Sequence, residues 1–506
     1  MNTDNARIKT DKAIDGFRCQ GSIGSTFRVS SSSIRFHPCS SVFPRFWVAL
    51  GTAIALSSCA VGPNYDKPPE VITPEKFKEA GEWQVANPND AAPKGEWWKV
   101  FRDPVLDELM AQVQVDNQDL RAAEARYRVA RAQVAAARAG LFPTIGLAAG
   151  ANRGKASGDV NASATRYTVA LEAQWEIDLW GRVRRQIEAG RAGEEASAAD
   201  LENLRLSIQA ELATNYFQLR VTDTAMDVLQ ELIVAFRKSL EIAQNRYKAG
   251  VAAKVDVVQA EAQVRSMEAQ LIDARASRAQ LENAIGLLAG KAASSFSLAK
   301  RPAYDPYMPE VPPGIPSTLA QRRPDVAAAE RRVAQANAQI GVAQAAYFPS
   351  LSLNGSTGFA STSLSNLFSV SNRVWSLGLG LAETLLDFGA RGAQVDITRA
   401  QYDEAVANYR QTVLTALQEV ETNLATVHWL TEEVKVQLDA TRLARESVQL
   451  TLNQYKAGIV SYVNVVQVQS TQLSEERSAL QLLGRRLAAQ VALIKSLGGD
   501  WTPASP

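Results

Sequence analysis

Tyr167, Val169, Leu171, Ala173, Trp175 and Ile177 alternate with Thr168, Ala170, Glu172, Gln174, Glu176 and Asp178. This period of two predicts a strand with one apolar and one polar face. Trp375, Leu377, Leu379 and Leu381 alternate likewise with Ser376, Gly378, Gly380 and Ala382. Each strand follows a partner: Ile145, Leu147, Ala149 and Ala151 in the first case, Leu351 and Leu353 in the second. The intervening stretches, Gly154 to Ala164 and Ala360 to Asn372, are rich in Gly, Ser and Asn and read as loops. Strands of about 9–11 residues, apolar outside and polar inside, are the pattern of an outer-membrane barrel.

Elsewhere the period is helical. Leu201, Leu204, Ile208, Leu212, Tyr216 and Leu219 form one amphipathic stripe. No proline occurs from Gly181 to Arg301, and no glycine between Gly193 and Gly250. At about 1.5 Å per residue, a helix over that segment is on the order of 100 Å long. Ala130, Ala132, Ala135, Ala136 and Ala137 are expected to let helices approach closely. Helices alone would also fit a soluble coiled coil; the alternating strands exclude that reading.

The chain also repeats itself. Asp119-Leu120, Ala122-Ala123-Glu124, Arg126, Gln133 and Phe142-Pro143-Thr144-Ile145 return 206 positions later as Asp325-Val326, Ala328-Ala329-Glu330, Arg332, Gln339 and Phe348-Pro349-Ser350-Leu351. Arg246-Tyr247-Lys248-Ala249-Gly250 with Asp256 returns 208 positions later as Gln454-Tyr455-Lys456-Ala457-Gly458 with Asn464. A repeat of this length is a duplicated architecture and not a solenoid unit. One chain supplies only four strands, and open strand edges cannot be left in lipid. Two chains would give eight strands, a filled barrel, whereas three give twelve and leave a bore. Both hairpins begin and end in helix, so the helices emerge on one side of the membrane. The expected fold is an α+β membrane protein, a trimeric 12-stranded transmembrane β-barrel continued by a long periplasmic α-helical barrel.

Arg45 precedes an apolar stretch from Phe46 to Leu56, followed by Leu56-Ser57-Ser58-Cys59, the form of a secretory signal ending in a lipobox. The stretch is too short to span a bilayer as a helix. Cys59 is the expected lipid attachment site. Residues 1–44 are long and polar for a signal n-region, so a translation start downstream, near Val42, is expected. Removal of residues 1–58 takes Cys19, Cys39 and His37 with it, leaving Cys59 and His428 as the mature thiol and imidazole. Disulfides, cysteine-zinc sites and Cys-His nucleophilic pairs are thereby excluded. His428, within a helical stretch, reads as a packing or solvated residue, and Gly286 to Lys291 has the wrong spacing for a phosphate loop. No catalytic residues, metal or cofactor are expected. The precursor holds 54 basic and 53 acidic residues; the first 58 take 7 and 3, leaving 47 against 50, a net charge of −3. No basic footprint for nucleic acid remains.

Cys59-Ala60-Val61-Gly62-Pro63-Asn64-Tyr65, Trp97-Trp98 with Phe101, Asp103-Pro104 and Leu106, Glu176-Ile177-Asp178-Leu179-Trp180-Gly181-Arg182, and the paired Tyr-Lys-Ala-Gly segments resemble the outer-membrane efflux lipoproteins of the TolC-like, OprM-like (NodT-type) family. The resemblance covers essentially all of residues 59–506. It implies a homotrimeric channel in the outer membrane that joins a periplasmic adaptor (membrane fusion) protein to an inner-membrane pump and exports drugs or other toxic small molecules. It also implies that Tyr247, Gly250, Asp256, Tyr455, Gly458 and Asn464 lie at the periplasmic entrance, where the adaptor docks. Asn464 stands where the family often has an acidic residue, and Thr384 where it often has a proline.

Local chemistry bears on the same tips. Gly250 and Gly458 end helical patterns as left-handed C-terminal residues would. Asp256 opens the next helix, where a carboxylate is favoured; capping alone would account for it, and three copies around an axis would instead form a charged ring. Residues 1–58 read as a signal with an N-terminal extension and 59–102 as a lipid-anchored linker wrapping the surface. Residues 103–300 are the first repeat, 301–316 an inter-repeat linker, 317–498 the second repeat and 499–506 a tail. A duct for type I protein secretion is the nearest alternative function. A periplasmic adaptor lipoprotein would lack the strands and the second hairpin, and an envelope hydrolase would need a nucleophile or metal set that the chain does not offer.

Cys59→Ser is expected to block acylation and leave uncleaved or mislocalised protein. Mass spectrometry of the membrane-bound form checks this, and an unmodified Cys59 there would refute it.

Overall fold

The computed structural model describes residues 60–67, 78, 95–155, 163–301, 304–309 and 323–499. The signal segment, Cys59, most of 68–94 and the tail beyond 499 lie outside the described residues. A 3-10 turn, Trp97–Phe101, leads into α1 (Pro104–Asp116), α2 (Gln118–Ala139), β1 (Thr144–Lys155), β2 (Ser163–Ile177), α3 (Arg182–Lys248) and α4 (Lys254–Leu288). The second half runs α5 (Pro324–Ala345), β3 (Ser350–Ser361), β4 (Arg373–Ala382), α6 (Ala390–Lys456) and α7 (Tyr462–Ser496). Helices α2 and α5 both have 22 residues, α3 and α6 both 67, α4 and α7 both 35. The chain therefore repeats its elements as well as its motifs.

Each 67-residue helix, about 100 Å long, starts from the same device. Gly181 and Gly389 take positive φ of 81° and 94°, turning the chain out of the strand. The Asp178 carboxylate then accepts from the backbone N–H of Val183 and Arg184, and Asp387 accepts from those of Gly389 and Arg391. Orphan donors of the first turn are thus satisfied at both helix starts. The predicted stripe on α3 is inward-facing: Ile208, Leu212, Tyr216 and Leu219 are buried.

The four strands form one antiparallel sheet in the order β1-β2-β3-β4. Its register sets Leu147 opposite Leu171, Trp175 opposite Leu353 and Leu353 opposite Leu379. One face is therefore apolar across all four strands. The other carries Glu172 between Gly146 and Ser356, and a Ser356–Ser376 hydroxyl pair at 2.8 Å. Cross-strand pairing extends the strands beyond the alternating patterns, since Gly154, Ala164 and Ala360, expected in loops, are all paired. Strands β1 and β4 each pair on one side only. Among the described residues no helix is long and apolar enough to cross a membrane.

Two expectations change. The end of the 59–102 linker does not lie on the surface: Trp97, Trp98 and Phe101 are buried in the main core, and the Trp97 indole N–H donates to Gln209 at 3.1 Å. Side chains that bury this much apolar area anchor a segment. The alanine face of α2 makes no close contact among the described residues, since Ala132, Ala135 and Ala136 are exposed. Its counterpart α5 is packed on both sides, by α3 and α6, whereas α2 packs on α3.

Asp103 joins distant segments at the centre of the helical body. Its Oδ1 accepts from the backbone N–H of Val105 and Leu106, capping α1. Oδ2 accepts from the hydroxyls of Tyr216 at 2.8 Å and Tyr304 at 3.2 Å and from Arg301 at 3.1 Å. The start of the inter-repeat linker is thereby pinned to α1 and α3. Fully buried Asp223 pairs with Arg220 and Arg278, which donate in turn to the carbonyls of Ala299 and Leu298.

Burial pushes the Tyr216 phenol up to about 12, and burial with the Asp103 charge raises Tyr304 as well. An unfolded phenol titrates near 10. The stabilisation these raised values represent is complete below that pH and is lost as pH rises from about 10 toward 12, where the unfolded chain gives up protons first. Thermal unfolding followed between about pH 9 and pH 11.5 should show the loss, with a flatter profile for Tyr216→Phe. At neutral pH, Asp103→Ala is expected to cost about 2–5 kcal/mol, from a lost cap and unpaired buried hydroxyls. A chemical denaturation midpoint equal to wild type would refute it.

Candidate functional site: the helical hairpin tips

The α3–α4 and α6–α7 turns are built alike. In the first, the N–H of Gly250 donates to Tyr247 O and that of Val251 to Arg246 O; in the second, Gly458 donates to Tyr455 O and Ile459 to Gln454 O. This is the Schellman arrangement, which requires a left-handed residue. Gly250 and Gly458 supply it at φ 73° and 81°.

The side chains at the two tips differ. Tyr455 is buried at 2% exposure, whereas Tyr247 is 45% exposed. The Tyr455 hydroxyl donates to Asp256 Oδ2 at 3.4 Å, across from one hairpin to the other. Asp256 lies in the first turn of α4, which has no side-chain cap hydrogen bond. Its carboxylate faces Tyr455, and the helix dipole favours it there. Asn464, the counterpart of Asp256, is exposed. Of the six predicted residues, the structure joins Tyr455 with Asp256 and leaves Tyr247 and Asn464 apart from that pair.

Two further residues complete the cluster. Arg246 donates to the C-terminal carbonyls of α6, Tyr455 O at 2.7 Å and Lys456 O at 3.0 Å, and its guanidinium sits 4.7 Å over the Tyr455 ring. A cation is favoured at a helix C-terminus, and the ring face adds to the attraction. Tyr462 is buried edge-on to Tyr455, 5.2 Å between centroids, among Ala243, Ala260 and Val465. Burial and then the Asp256 charge raise the Tyr455 phenol; burial chiefly raises Tyr462. Both remain protonated donors at neutral pH. The signal for these residues lay in the differences between repeats: Arg246 against Gln454, and Lys254 against Tyr462.

The arrangement joins the two hairpins through one hydroxyl–carboxylate bond and one guanidinium on two helix-end carbonyls. Among the described residues no group of His, Cys, Asp and Glu could hold a metal ion, and His428 is an exposed ring against Trp429. A sheet with two open edges and one apolar face, carried on helical hairpins 67 and 35 residues long, defines an outer-membrane channel of the barrel-and-helix type. The chain belongs to the outer membrane efflux protein family, whose model matches residues 109–291 and 315–499, one stretch in each repeat. It is 30% identical over 429 residues to the pyoverdine export outer membrane protein OpmQ of Pseudomonas aeruginosa, covering 82% of this chain and 90% of that protein. Outer membrane protein OprJ of the same organism is 30% identical over 466 residues, covering 90% and 96%. Among solved structures, the outer-membrane channel OprN has a TM-score of 0.81 at 31% identity, covering 88% of this chain and 100% of that one. The open state of the Neisseria gonorrhoeae MtrE outer membrane channel has a TM-score of 0.77 at 28% identity, covering 87% and 98%. The family expected from the motifs is the family matched.

Proposed function

We propose that three copies of this chain form the outer-membrane channel of a tripartite efflux system. It conducts drugs or other toxic small molecules passively from a periplasmic adaptor and inner-membrane pump to the exterior, and carries out no chemistry itself. The observation that carries this reading is the sheet, since four strands with an apolar face and two open edges cannot stand alone in lipid. Cargo is set by the pump: similar proteins are named for export of pyoverdine, toluene and antibiotics. That range favours small molecules over protein secretion.

The helices support the same assembly. Within the chain α3 packs on α7. Their counterparts, α6 and α4, carry apolar stripes that nothing among the described residues covers. On α6, Trp429, Val436, Leu443 and Leu450 recur every seventh residue, all exposed, and on α4 Val255, Val258 and Ile272 are exposed. A stripe at this period is a coiled-coil seam awaiting a partner helix.

In this reading the tips close the periplasmic entrance and present the adaptor-docking surface. The Tyr455–Asp256 bond and the Arg246 clamp hold the two hairpins of a chain together in the closed state. Three Asp256 carboxylates around the axis would favour cations. Cys59, acylated, anchors the chain in outer-membrane lipid.

Native mass spectrometry of detergent-extracted protein is expected to give a trimer; chiefly monomer or dimer would contradict the assembly. In planar bilayers, Asp256→Ala should raise single-channel conductance and lower cation preference. Tyr455→Phe, which keeps the ring packing, should raise conductance less. A bulky residue at Gly458 should abolish adaptor docking without harming trimer formation. If Asp256 served the helix alone, its loss would cost about 0.5–2 kcal/mol of stability and leave conductance unchanged; that result would remove it from the entrance.

A further inference from the structure

At the end of the sheet farthest from the helices, the apolar face stops at a border that both repeats place at one height. The hairpin registers relate β1 to β3 by 206 positions and β2 to β4 by 208, through Thr144↔Gln174 and Ser350↔Ala382. By those offsets Arg153 and Phe359 are counterparts, and so are Thr165 and Arg373. The register pairs Arg153 with Thr165 and Phe359 with Arg373. One guanidinium therefore stands at this level in each hairpin, on β1 in the first repeat and on β4 in the second. Two residues nearer the helices, Tyr167 and Trp375 are counterparts in turn, paired with Ala151 and Thr357. Even steps separate Arg153 from Leu147 and Arg373 from Leu377, so both arginines lie on the apolar face.

Both arginines are exposed. Arg153 donates to Ser163 Oγ at 3.4 Å, and neither arginine has a carboxylate partner among the described residues. The sequence is basic at this end: residues 150–169 and 357–375 hold Arg153, Lys155, Arg166 and Arg373 against one acid, Asp159. The opposite end is balanced, since Glu176, Asp178 and Asp387 pair there with Arg182, Arg184 and Arg391. Beside Arg373 the β3–β4 turn folds back over the apolar face. Phe368 rests edge-on against Phe359, centroids 5.5 Å apart, and Leu367 is buried. Asn372 braces the turn, its Nδ2 donating to Asn366 O at 2.6 Å and Ser369 Oγ at 2.9 Å. Leu364, Phe368 and Val370 are left exposed.

Apolar side chains, then aromatic rings, then guanidiniums without acidic partners follow the order of a membrane surface crossed from acyl chains to anionic headgroups. The helices lie on the periplasmic side, so this border meets the outer leaflet. We propose that it is a binding collar for the phosphorylated glycolipid of that leaflet. Arg153 and Arg373 take the lipid's phosphates in charge-assisted pairs. The exposed side chains of the β3–β4 turn seat against its acyl chains.

The test is native mass spectrometry of the full detergent-extracted protein with bis-phosphorylated lipid A, the same lipid dephosphorylated, or phosphatidylglycerol added. Wild type should retain the bis-phosphorylated form in preference to the other two. Arg153→Gln with Arg373→Gln should weaken that retention about thirtyfold, from about fivefold for each basic residue at an anionic surface. Arg166→Gln, set beside Asn152 on the polar face, should leave it unchanged. Equal retention by the double variant, an equal loss in Arg166→Gln, or wild-type protein holding phosphatidylglycerol as well as lipid A would each overturn the collar. The same spectra report the oligomer, so loss of lipid is told apart from loss of assembly. If the double variant does not assemble, the single variants decide, each with about a fivefold loss. A trimer that binds no lipid A would remove the collar and leave the channel reading standing.

Discussion

The structure depends on one constraint: in hydrocarbon, every backbone N–H and C=O must be bonded within the protein. A four-stranded sheet satisfies this along its three internal seams and fails at two edges. Lipid cannot mend those edges, so the sheet implies other copies, and copies around an axis imply a lumen. The helical part inherits the same geometry. Each strand hairpin is continuous with helices at both ends, so a ring of strands becomes a ring of helices. Turns at Gly181 and Gly389, each backed by an aspartate accepting first-turn N–H groups, are where one kind of ring is converted into the other.

Duplication makes that ring close to regular, and the side-chain contacts at the tips depart from that regularity. Equal helix lengths of 67 and 35 residues in both repeats bring both tips to the same level. Four positions then differ in character: Arg246 against Gln454, Lys254 against Tyr462, Asp256 against Asn464, and a buried Tyr455 against an exposed Tyr247. A fully symmetric set of tips would bond every neighbour alike. This set instead bonds strongly at the contact inside the chain, where a cation clamps two carbonyls and a phenol meets a carboxylate.

What could be read from the sequence follows from how local each cause is. Strand faces were legible because alternation is a property of neighbouring residues, as at Leu171 and Leu379; strand ends were not, because pairing of Gly154 or Ala360 depends on the opposite strand. The tip glycines were legible because positive φ after a helix selects glycine directly. The Tyr455–Asp256 pairing was not, since the two residues lie 199 positions apart and either would be placed equally well by its own helix. Asp103 joins Tyr216 and Tyr304 across 113 and 201 positions, beyond any window of sequence. Trp97 and Trp98 misled for a related reason, as aromatic residues in an aperiodic, proline-rich stretch look like linker until the core they fill is visible.

A last asymmetry ties the N-terminal segment to this geometry. Residues 61–64 lie across the seam of α3 and α5, where Arg185 donates to the carbonyls of Val61 and Gly62 and to Asn64 Oδ1. A Cβ on Gly62 would fall 2.4 Å from Gly341 Cα, so the segment passes where only two glycines can meet. The counterpart of Gly341 in the first repeat is Ala135, and that of Arg185 in the second is Ala393. Neither the close approach nor the guanidinium is kept there, because a chain has one N-terminus and two repeats. The strap crosses the seam within the chain and has no equivalent between chains. It sets the first residues after Cys59 beside Trp180, whose carbonyl accepts the Val61 N–H at 3.0 Å, at the level where strand gives way to helix.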